Sequence, residues 1–452
     1  MEEAPSSFGR HSPQARRNAL ILVIGFALII LIGAILLRLP AAATHRPLTW
    51  EEAFFISTSA TTVTGLVVIT PALDLSLFGQ LVVLVLMEVG GAGFIAFSVL
   101  LFILIGRRVG LANRMLIQQT LGVFEGAHIA RFTLMVLTTV FSIQLAGAGL
   151  LWLRWRETLP GAQGAYLALF HSISAFNNAG FDLYAGTNSI LFGYDSDPYT
   201  LVVLMLLILI GGFGIVIGID LATYPWDRRL MVHTRLTLTI SAILILGGML
   251  VLPADSLFEG AAFAGMPLGE RLWKSLFSVV AARTAGLTII SLDQLGHASA
   301  LTLMVSMFIG GAPASMAGGV TISTVAVLIV SVYSTVRGLP QAIVYGRTIP
   351  LETIAKAVAI MTVSTLLCLL ASILLLVDMP TEFFAVIFEV VSAFSNTGYS
   401  LGLTTQLGTV GRVIIAFLMF WGRLGPLTLV VLLAQRERPL HARYPHEQIV
   451  IG

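Results

Sequence analysis

Four short polar stretches, each ending in glycine and a bulky apolar residue, recur along this chain. They are Thr61–Leu66, Asn177–Phe181, Arg283–Leu287 and Ser395–Tyr399. Their glycines, Gly65, Gly180, Gly286 and Gly398, lie 115, 106 and 112 residues apart. A near-constant period of this kind indicates internal repeats. Four copies around one axis would bring four glycine-containing backbones together, and such backbones can form a ring of carbonyl oxygens that replaces the water around a cation.

The composition places these repeats in a membrane. Of 452 residues, 57% are hydrophobic and 11% are charged, whereas soluble proteins carry roughly a quarter charged residues. The mean hydropathy is +0.94. We predict eight spans of about 20 residues or more, two in each repeat. The spans are Ala19–Leu37, Gly79–Ile105, Phe132–Leu153, Tyr199–Leu221, Leu236–Leu252, Leu301–Val332, Ile354–Val377 and Val413–Leu433.

Each repeat also contains a segment too short to cross the membrane, placed directly before its glycine. These segments are Trp50–Thr61, Tyr166–Phe176, Arg271–Ala282 and Pro380–Phe394. We expect half-helices that enter from outside and turn at the polar stretch, because non-helical backbone is tolerated at membrane depth where it lines a water-filled path. The predicted fold class is an all-α integral membrane protein, with four repeats of helix, pore loop and helix around a central ion pore.

The repeats divide the chain into six predicted parts. They are an N-terminal tail (1–18), repeat 1 (19–115), repeat 2 (116–232), repeat 3 (233–345), repeat 4 (346–434) and a C-terminal tail (435–452). With both tails in the cytoplasm, sixteen of the 25 lysines and arginines fall inside and eight outside. The positive-inside rule favours this orientation. Most carboxylates then face outside, where they either form an acidic mouth that concentrates cations or are simply solvated.

The candidate ion-binding residues are each repeated glycine and the two residues before it. Glycine suits this position because it tolerates positive φ and lets the backbone approach a ligand closely. The set is Val63, Thr64, Gly65, Asn178, Ala179, Gly180, Thr284, Ala285, Gly286, Asn396, Thr397 and Gly398. We expect the side chains of Asn177, Asn178 and Asn396 to bond this backbone, with direct ion contact as the alternative. We expect Arg283 to brace the short helices.

A second repeated pattern lies mid-way along the second span of each repeat. Two to four glycines occur there within each of the segments Gly90–Gly93, Gly211–Gly214, Gly310–Gly319 and Gly422–Gly425. Small residues commonly serve helix packing in membranes, and this explanation is favoured for the first two copies. The third copy also contains Pro313, which removes a helix hydrogen bond. We predict that Gly310–Gly319 unwinds below the carbonyl ring and forms a movable gate.

Arg423 is a charge deep within the last predicted span. Such a residue is a functional candidate because an unpartnered charge in a membrane is costly. We expect it either to donate to carbonyls of the unwound segment or to pair with Glu88, with simple packing as the alternative. The predicted gate residues are Gly310, Gly311, Pro313, Met316, Gly318, Gly319 and Arg423.

The four stretches and the eight spans resemble the Trk/Ktr/HKT superfamily of potassium and sodium transporters over residues 19–452. Eight spans, glycine at all four positions and the ending Arg443–Gly452 are similar to the bacterial Ktr pore-forming subunit, although His446 and Gln448 depart from the family ending. The resemblance implies potassium preference, a gate-latching role for Arg423 and a cytoplasmic nucleotide-binding regulatory ring. It leaves open whether sodium stimulates transport.

The resemblance therefore implies a potassium-uptake pore subunit, multi-pass in a bacterial inner membrane, that forms a homodimer. The transported ion is potassium, and no covalent cofactor is expected. No paired metal-ligand spacing or phosphate-binding loop supports an enzyme, and a net charge of +2 does not suggest a nucleic-acid partner. Two alternatives remain: a sodium-conducting or sodium-coupled member of the same superfamily, and a membrane scaffold or receptor whose repeats only pack.

Overall fold

The computed structural model describes residues 13–92, 129–184, 194–258, 260–313, 315–379 and 382–425. Within these ranges, thirteen helices of twelve residues or more form four units of similar design. The first two units contain α1 (Pro13–Arg38), α2 (Trp50–Thr61), α3 (Leu77–Ala92), α4 (Ile129–Trp155), α5 (Ala162–Phe176) and α6 (Pro198–Asp227). The last two contain α7 (Val232–Val251), α8 (Leu268–Ala282), α9 (His297–Phe308), α10 (Ile322–Val336), α11 (Leu351–Asp378), α12 (Phe383–Ser395) and α13 (Thr409–Leu424).

Short elements connect these helices. One helical turn lies at Pro71–Asp74, and 3₁₀ turns lie at Pro40–Ala42, Leu252–Phe258, Leu292–Gln294 and Thr404–Gln406. A hairpin pairs β1 (Ile343–Val344) with β2 (Arg347–Thr348) in antiparallel register. Its two turn residues, Tyr345 and Gly346, both have positive φ, as a tight two-residue hairpin turn requires.

The helices at the outside of the bundle are long and apolar. Five have the length and composition to cross a membrane: the segments Ala19–Arg38, Leu134–Trp155, Pro198–Asp227, Val232–Asp255 and Leu351–Val377. Their outward side chains are mostly large and apolar, such as Ile24 and Ile32 on α1, which are more than half exposed. An apolar exterior of this kind is the surface that lipid requires. The chain is thus a helical integral membrane protein.

The four short helices predicted before the glycines are present as α2, α5, α8 and α12. The first begins with a capping box, in which Thr49 and Glu52 satisfy each other's backbone N–H groups. Arg46 donates two hydrogen bonds to the Glu52 carboxylate, at 2.6 and 2.8 Å. This hydrogen bonding holds the pKa of Glu52 at about 2, so the cap stays ionised at neutral pH.

The predicted span Leu301–Val332 is divided in the structure, at the segment that was predicted to unwind. Helix α9 ends at Phe308 and α10 begins at Ile322. Between them, Ile309 and Val320 form one isolated parallel bridge. The interruption contains four glycines and Pro313, which supply the conformational freedom and the missing donor that end a helix. The predicted spans Gly79–Ile105 and Val413–Leu433 continue beyond the described residues.

The units pack in a closed cycle. The second helix of each unit lies against the short helix of the next: α3 against α5, α6 against α8, α9 against α12 and α13 against α2. The last contact joins the fourth unit to the first. The four short helices therefore end around one common centre.

Candidate functional site

The four repeated glycines form a ring at that centre. Each one faces the carbonyl oxygen of the residue before the glycine in the next unit. The pairs are Gly65 with Ala179, Gly180 with Ala285, Gly286 with Thr397 and Gly398 with Thr64. A Cβ atom added at any of the four would lie under 3.0 Å from that oxygen, which leaves no room for another residue. The chain thus places four backbone carbonyls of equivalent position around one axis.

The backbone of this ring has an unusual and repeated conformation. All four glycines have positive φ, and so does the residue two positions earlier in every unit: Val63, Asn178, Thr284 and Asn396. The residue between them has negative φ in each case. Positive φ is a genuine outlier for a β-branched residue such as Val63, and strain of this kind persists where the surrounding structure imposes it. Alternation of positive and negative φ turns successive carbonyls toward one side, as a cation-binding ring requires.

Asn396 joins the ring to its neighbours through its side chain. Its Nδ2 donates to Thr64 Oγ1 and to the Met419 carbonyl, both at 2.8 Å. The hydroxyl of Tyr399 donates to the carbonyls of Ser278 and Leu287 at 3.1 and 3.2 Å. The fourth unit is therefore tied to the first by Asn396 and to the third by Tyr399.

Glu88 makes the corresponding link between the first and second units. Its carboxylate accepts hydrogen bonds from Asn177 Nδ2 at 2.7 Å and from Gln144 Nε2 at 2.8 Å. Asn178 Nδ2 donates at 3.4 Å to the Phe176 carbonyl at the end of α5. The expectation that these asparagines bond the ring backbone is wrong. Asn177 donates to Glu88 on α3, and Asn178 donates to the carbonyl at the end of α5. Asn396 donates to the Thr64 side chain and to a carbonyl of α13.

Arg283 occupies the end of α8, next to the ring. Its side chain is buried, and the guanidinium carbon lies 5.6 Å from the centre of the Phe213 ring on α6. An arginine above an aromatic face is stabilised by cation–π attraction. This contact links the second and third units and agrees with a bracing role.

The interrupted segment between α9 and α10 is held by backbone hydrogen bonds from two other units. The N–H groups of Ala312 and Met316 donate to the carbonyls of Gly212 and Gly211, at 3.0 and 3.2 Å. The N–H of Gly319 donates to the Gly422 carbonyl at 3.3 Å. Buried backbone groups need such partners, so this segment is anchored although it is not helical.

A break in α6 makes two of these carbonyls available. Gly214 has φ 72° and ψ 175°, a conformation outside the helical range. The N–H groups that follow it are therefore displaced from the carbonyls of Gly211 and Gly212, which accept from the interrupted segment instead. These glycines therefore accept hydrogen bonds in addition to the helix packing that the sequence favoured.

Arg423 connects the fourth unit to both the first and the third. Its Nη1 donates to the Met316 carbonyl, and its Nη2 donates to the carbonyls of Gly90 and, at 3.0 Å, of Gly91. Of the two expected arrangements, the structure has donation to carbonyls, while Glu88 is occupied by Asn177 and Gln144. One guanidinium thus holds the interrupted segment against α3.

The glycines of the second helices also allow those helices to approach the ring. A Cβ atom on Gly90, Gly211 or Gly422 would lie under 3.0 Å from the carbonyl of Thr61, Phe176 or Phe394, respectively. Each of these carbonyls belongs to the residue four positions before a ring glycine. Three units thus share one packing contact. In the third unit the equivalent helix is interrupted, and Gly310 meets the Gly318 carbonyl instead.

Four of the carboxylates predicted to face outside are engaged by other groups. Asp197 pairs with Arg154 at 3.2 Å, and Asp195 pairs with Lys274 at 2.8 Å. Asp182 lies 2.8 Å from His171 in a buried site, and Asp255 accepts from the Gly296 N–H at 3.0 Å. Their contacts fix the loops above the ring, and an open acidic rim is not formed by these residues.

Comparison with known proteins identifies the family. A sequence model of TrkH, described as a cation transport protein, matches residues 5–439. The chain belongs to this family. It is 34% identical over 432 residues to the Ktr system potassium uptake protein B of Bacillus subtilis, with 96% of each chain covered. It is 31% identical over 445 residues to the potassium/sodium uptake protein NtpJ of Enterococcus hirae, again with 96% of each covered.

A solved structure of the TrkH family supports the fold. The potassium transporter TrkH from Vibrio parahaemolyticus matches with a TM-score of 0.74 and 20% sequence identity, covering 94% of this chain and 86% of the other. The prediction of a helical membrane transporter rather than an enzyme is confirmed by these relatives.

Sequence reasoning offered Arg423 as a partner for Glu88 and did not find Asn177 or Gln144, which bond it in the structure. It also did not single out Tyr399 as a link. The sequence does mark Glu88 as a residue that needs a partner, because it is a lone carboxylate within a predicted span. The indication for Tyr399 is weaker: it carries a hydroxyl at the position after the repeated glycine, where the other repeats have Leu or Phe. Buried polar groups need partners, but the chain alone does not reveal which unit supplies them.

Proposed function

We propose that this chain is the pore-forming subunit of a potassium uptake system. In this proposal, potassium passes through the ring formed at Gly65, Gly180, Gly286 and Gly398, where backbone carbonyls replace its water. The observation that carries the proposal is the closed cycle, in which every ring glycine faces the carbonyl before the next one. The names of the relatives from Bacillus and Vibrio support potassium as the ion.

The gate of this pore is the segment Gly310–Gly319, and Arg423 is its latch. Support comes from the bonds that Arg423 donates to Met316, Gly90 and Gly91. A guanidinium cannot shed its charge, so it also opposes a cation that leaves the ring. Opening then requires that these bonds break and that the segment moves aside.

The chain works with a further subunit. Three relatives are named as Ktr system proteins, which supports an assembly with more than one component. We propose a homodimer of this chain on a cytoplasmic nucleotide-binding ring, in a bacterial inner membrane with both tails inside. The distribution of arginine and lysine supports this orientation.

A second candidate is a pore that carries both potassium and sodium. The relative from Enterococcus, 31% identical, is named a potassium/sodium uptake protein. Purified protein in liposomes distinguishes the two candidates when potassium and sodium uptake are measured separately and then in competition. Potassium uptake that excess sodium does not inhibit supports the first candidate. Equal uptake of both ions supports the second, and no uptake of either supports a scaffold or receptor.

A further inference from the structure

A cavity of about 710 Å³ lies away from the pore, where α7 and α11 begin. Its walls come from the α6–α7 connection, the first turns of α7 and α10, the β1–β2 hairpin and the start of α11. This is the end of the molecule that the arginine distribution places in the cytoplasm. The cavity shares no lining residue with the ring or with Gly310–Gly319.

The lining of this cavity is strongly basic. Arg229, Arg235 and Arg347 contribute three guanidinium groups, His233 adds an imidazole, and no aspartate or glutamate lines it. Among the described residues, none of the three arginines forms an ion pair. The nearby carboxylate of Asp220 accepts the Met231 N–H at 3.0 Å. Arg235 lies 5.6 Å from the centre of the Tyr345 ring, which also lines the cavity. Three arginines without an ion-pair partner favour an anionic ligand.

Three helix N-termini open onto the same cavity. The first turns of α7, α10 and α11 contribute His233, Ser323 and Thr353 to its lining. None of these helices has a side-chain cap on its first N–H groups. Some first-turn N–H groups donate to backbone carbonyls, as Ile322 does to Gly311. The helix dipoles still place partial positive charge at this cavity, which favours a phosphate or another anion and reinforces the arginines.

The remaining lining indicates what the anion is attached to. Leu230, Leu236, Val327, Val344 and Ile349 form an apolar wall beside the arginines. A free inorganic anion would leave this wall in water. A phosphate ester with an apolar body would cover it, and the cytoplasmic leaflet supplies such molecules as anionic phospholipids.

We propose that this cavity binds a phosphate ester, and that its ligand in the membrane is the head group and glycerol region of an anionic phospholipid. The phosphate lies among Arg229, Arg235 and Arg347, and the glycerol region covers the apolar wall. Each arginine near a charged lipid surface contributes about fivefold in affinity. Loss of all three should therefore weaken binding on the order of a hundredfold.

The test uses full-length protein, freed of lipid in detergent and titrated with short-chain phosphatidylglycerol or phosphatidylcholine while thermal unfolding is followed. A parallel titration uses inorganic pyrophosphate and ATP. We expect phosphatidylglycerol to raise the unfolding temperature and phosphatidylcholine to have no effect. A shift with ATP or pyrophosphate but not with lipid assigns the same phosphate chemistry to a soluble ligand.

The variants are Arg235→Gln alone and the triple change Arg229→Gln, Arg235→Gln and Arg347→Gln. Arg337→Gln is the matched control, because Arg337 follows α10 and lies over Tyr333, outside the cavity. We expect the half-saturating lipid concentration to rise about fivefold in Arg235→Gln and to be unchanged in Arg337→Gln. If neither lipid nor soluble phosphates bind, or if all variants bind as the wild type does, the proposal is wrong.

Discussion

At the scale of single residues, the ring depends on backbone geometry more than on side-chain chemistry. The residue before each glycine is threonine or alanine, and its role comes from its carbonyl. Two features of this position require glycine. Its φ is positive, and a neighbouring carbonyl oxygen lies where the Cβ atom of any other residue would be. The sequence could predict the positive φ from the polar turn. It could not show which carbonyl oxygen lies at the Cβ position.

A pair of serine variants tests the positive φ and the close carbonyl oxygen separately. Gly398→Ser brings a Cβ atom against the Thr64 carbonyl, whereas Gly402 has a similar φ of +91° with nothing within 4 Å of its Cβ position. We expect Gly398→Ser to lower potassium-over-sodium preference about tenfold, which corresponds to about 1.4 kcal/mol. Gly402→Ser should keep wild-type preference. Bi-ionic flux in liposomes measures both, and equal preference in the two variants would contradict the collision argument.

The role of Arg423 as a latch can be tested with variants that distinguish its charge from its several hydrogen-bond donors. Arg423→Lys keeps the charge but cannot reach carbonyls of two units at once, and Arg423→Gln removes the charge. Loss of about 1.4 kcal/mol from the closed state changes an equilibrium tenfold, so we expect about tenfold higher flux in both if latching dominates. Arg412→Gln, on the same helix beside Glu51, is the control. Higher flux in Arg423→Gln alone would indicate electrostatic repulsion instead.

At the scale of elements, the sequence predicted which segments would not span. The short helices before the glycines were found because they are too short and end in polar turns. The unwound segment was found because four glycines and a proline cannot sustain a helix there. The break at Gly214 was not predicted, because the glycines of Gly211–Gly214 were assigned to helix packing, which is common in membranes. Only the acceptor role of Gly211 and Gly212 explains the break.

The interrupted segment is tested by shortening it. Deletion of residues 315–317 removes the backbone bonds of Met316 to Gly211 and Arg423. We expect faster potassium flux with unchanged selectivity, because the ring is not altered. Met316→Ala keeps both backbone bonds and should raise flux less, since it removes only side-chain bulk. A deletion variant that folds normally yet conducts no faster would favour packing as the purpose of these glycines.

At the scale of the whole molecule, the four units close a ring because each second helix packs on the next short helix. The period of the glycines predicted four units, but not this order of contacts, since spacing along the chain does not specify neighbours in space. The C-terminal tail lies outside the described residues. Its segment Ile449–Gly452 is apolar after Pro445, and an exposed apolar segment favours a buried contact.

Assembly is tested by truncation after Tyr444. We expect the purified protein to change from dimer to monomer in mild detergent, because the apolar ending is removed. Light scattering coupled to size exclusion measures the mass. A variant with Ile449, Val450 and Ile451 changed to serine keeps the chain length and should behave as the truncation does. Dimers that persist in both would show that the contact lies elsewhere.

The position of the bound ion tests the central claim most directly. Rubidium can replace potassium, and its anomalous scattering locates it in crystals of the wild-type protein. The ring predicts a peak on the axis, equally close to the carbonyl oxygens of Thr64, Ala179, Ala285 and Thr397, and a lower peak in Gly398→Ser. Rubidium bound elsewhere in the protein, with no peak among these four oxygens, would contradict the account.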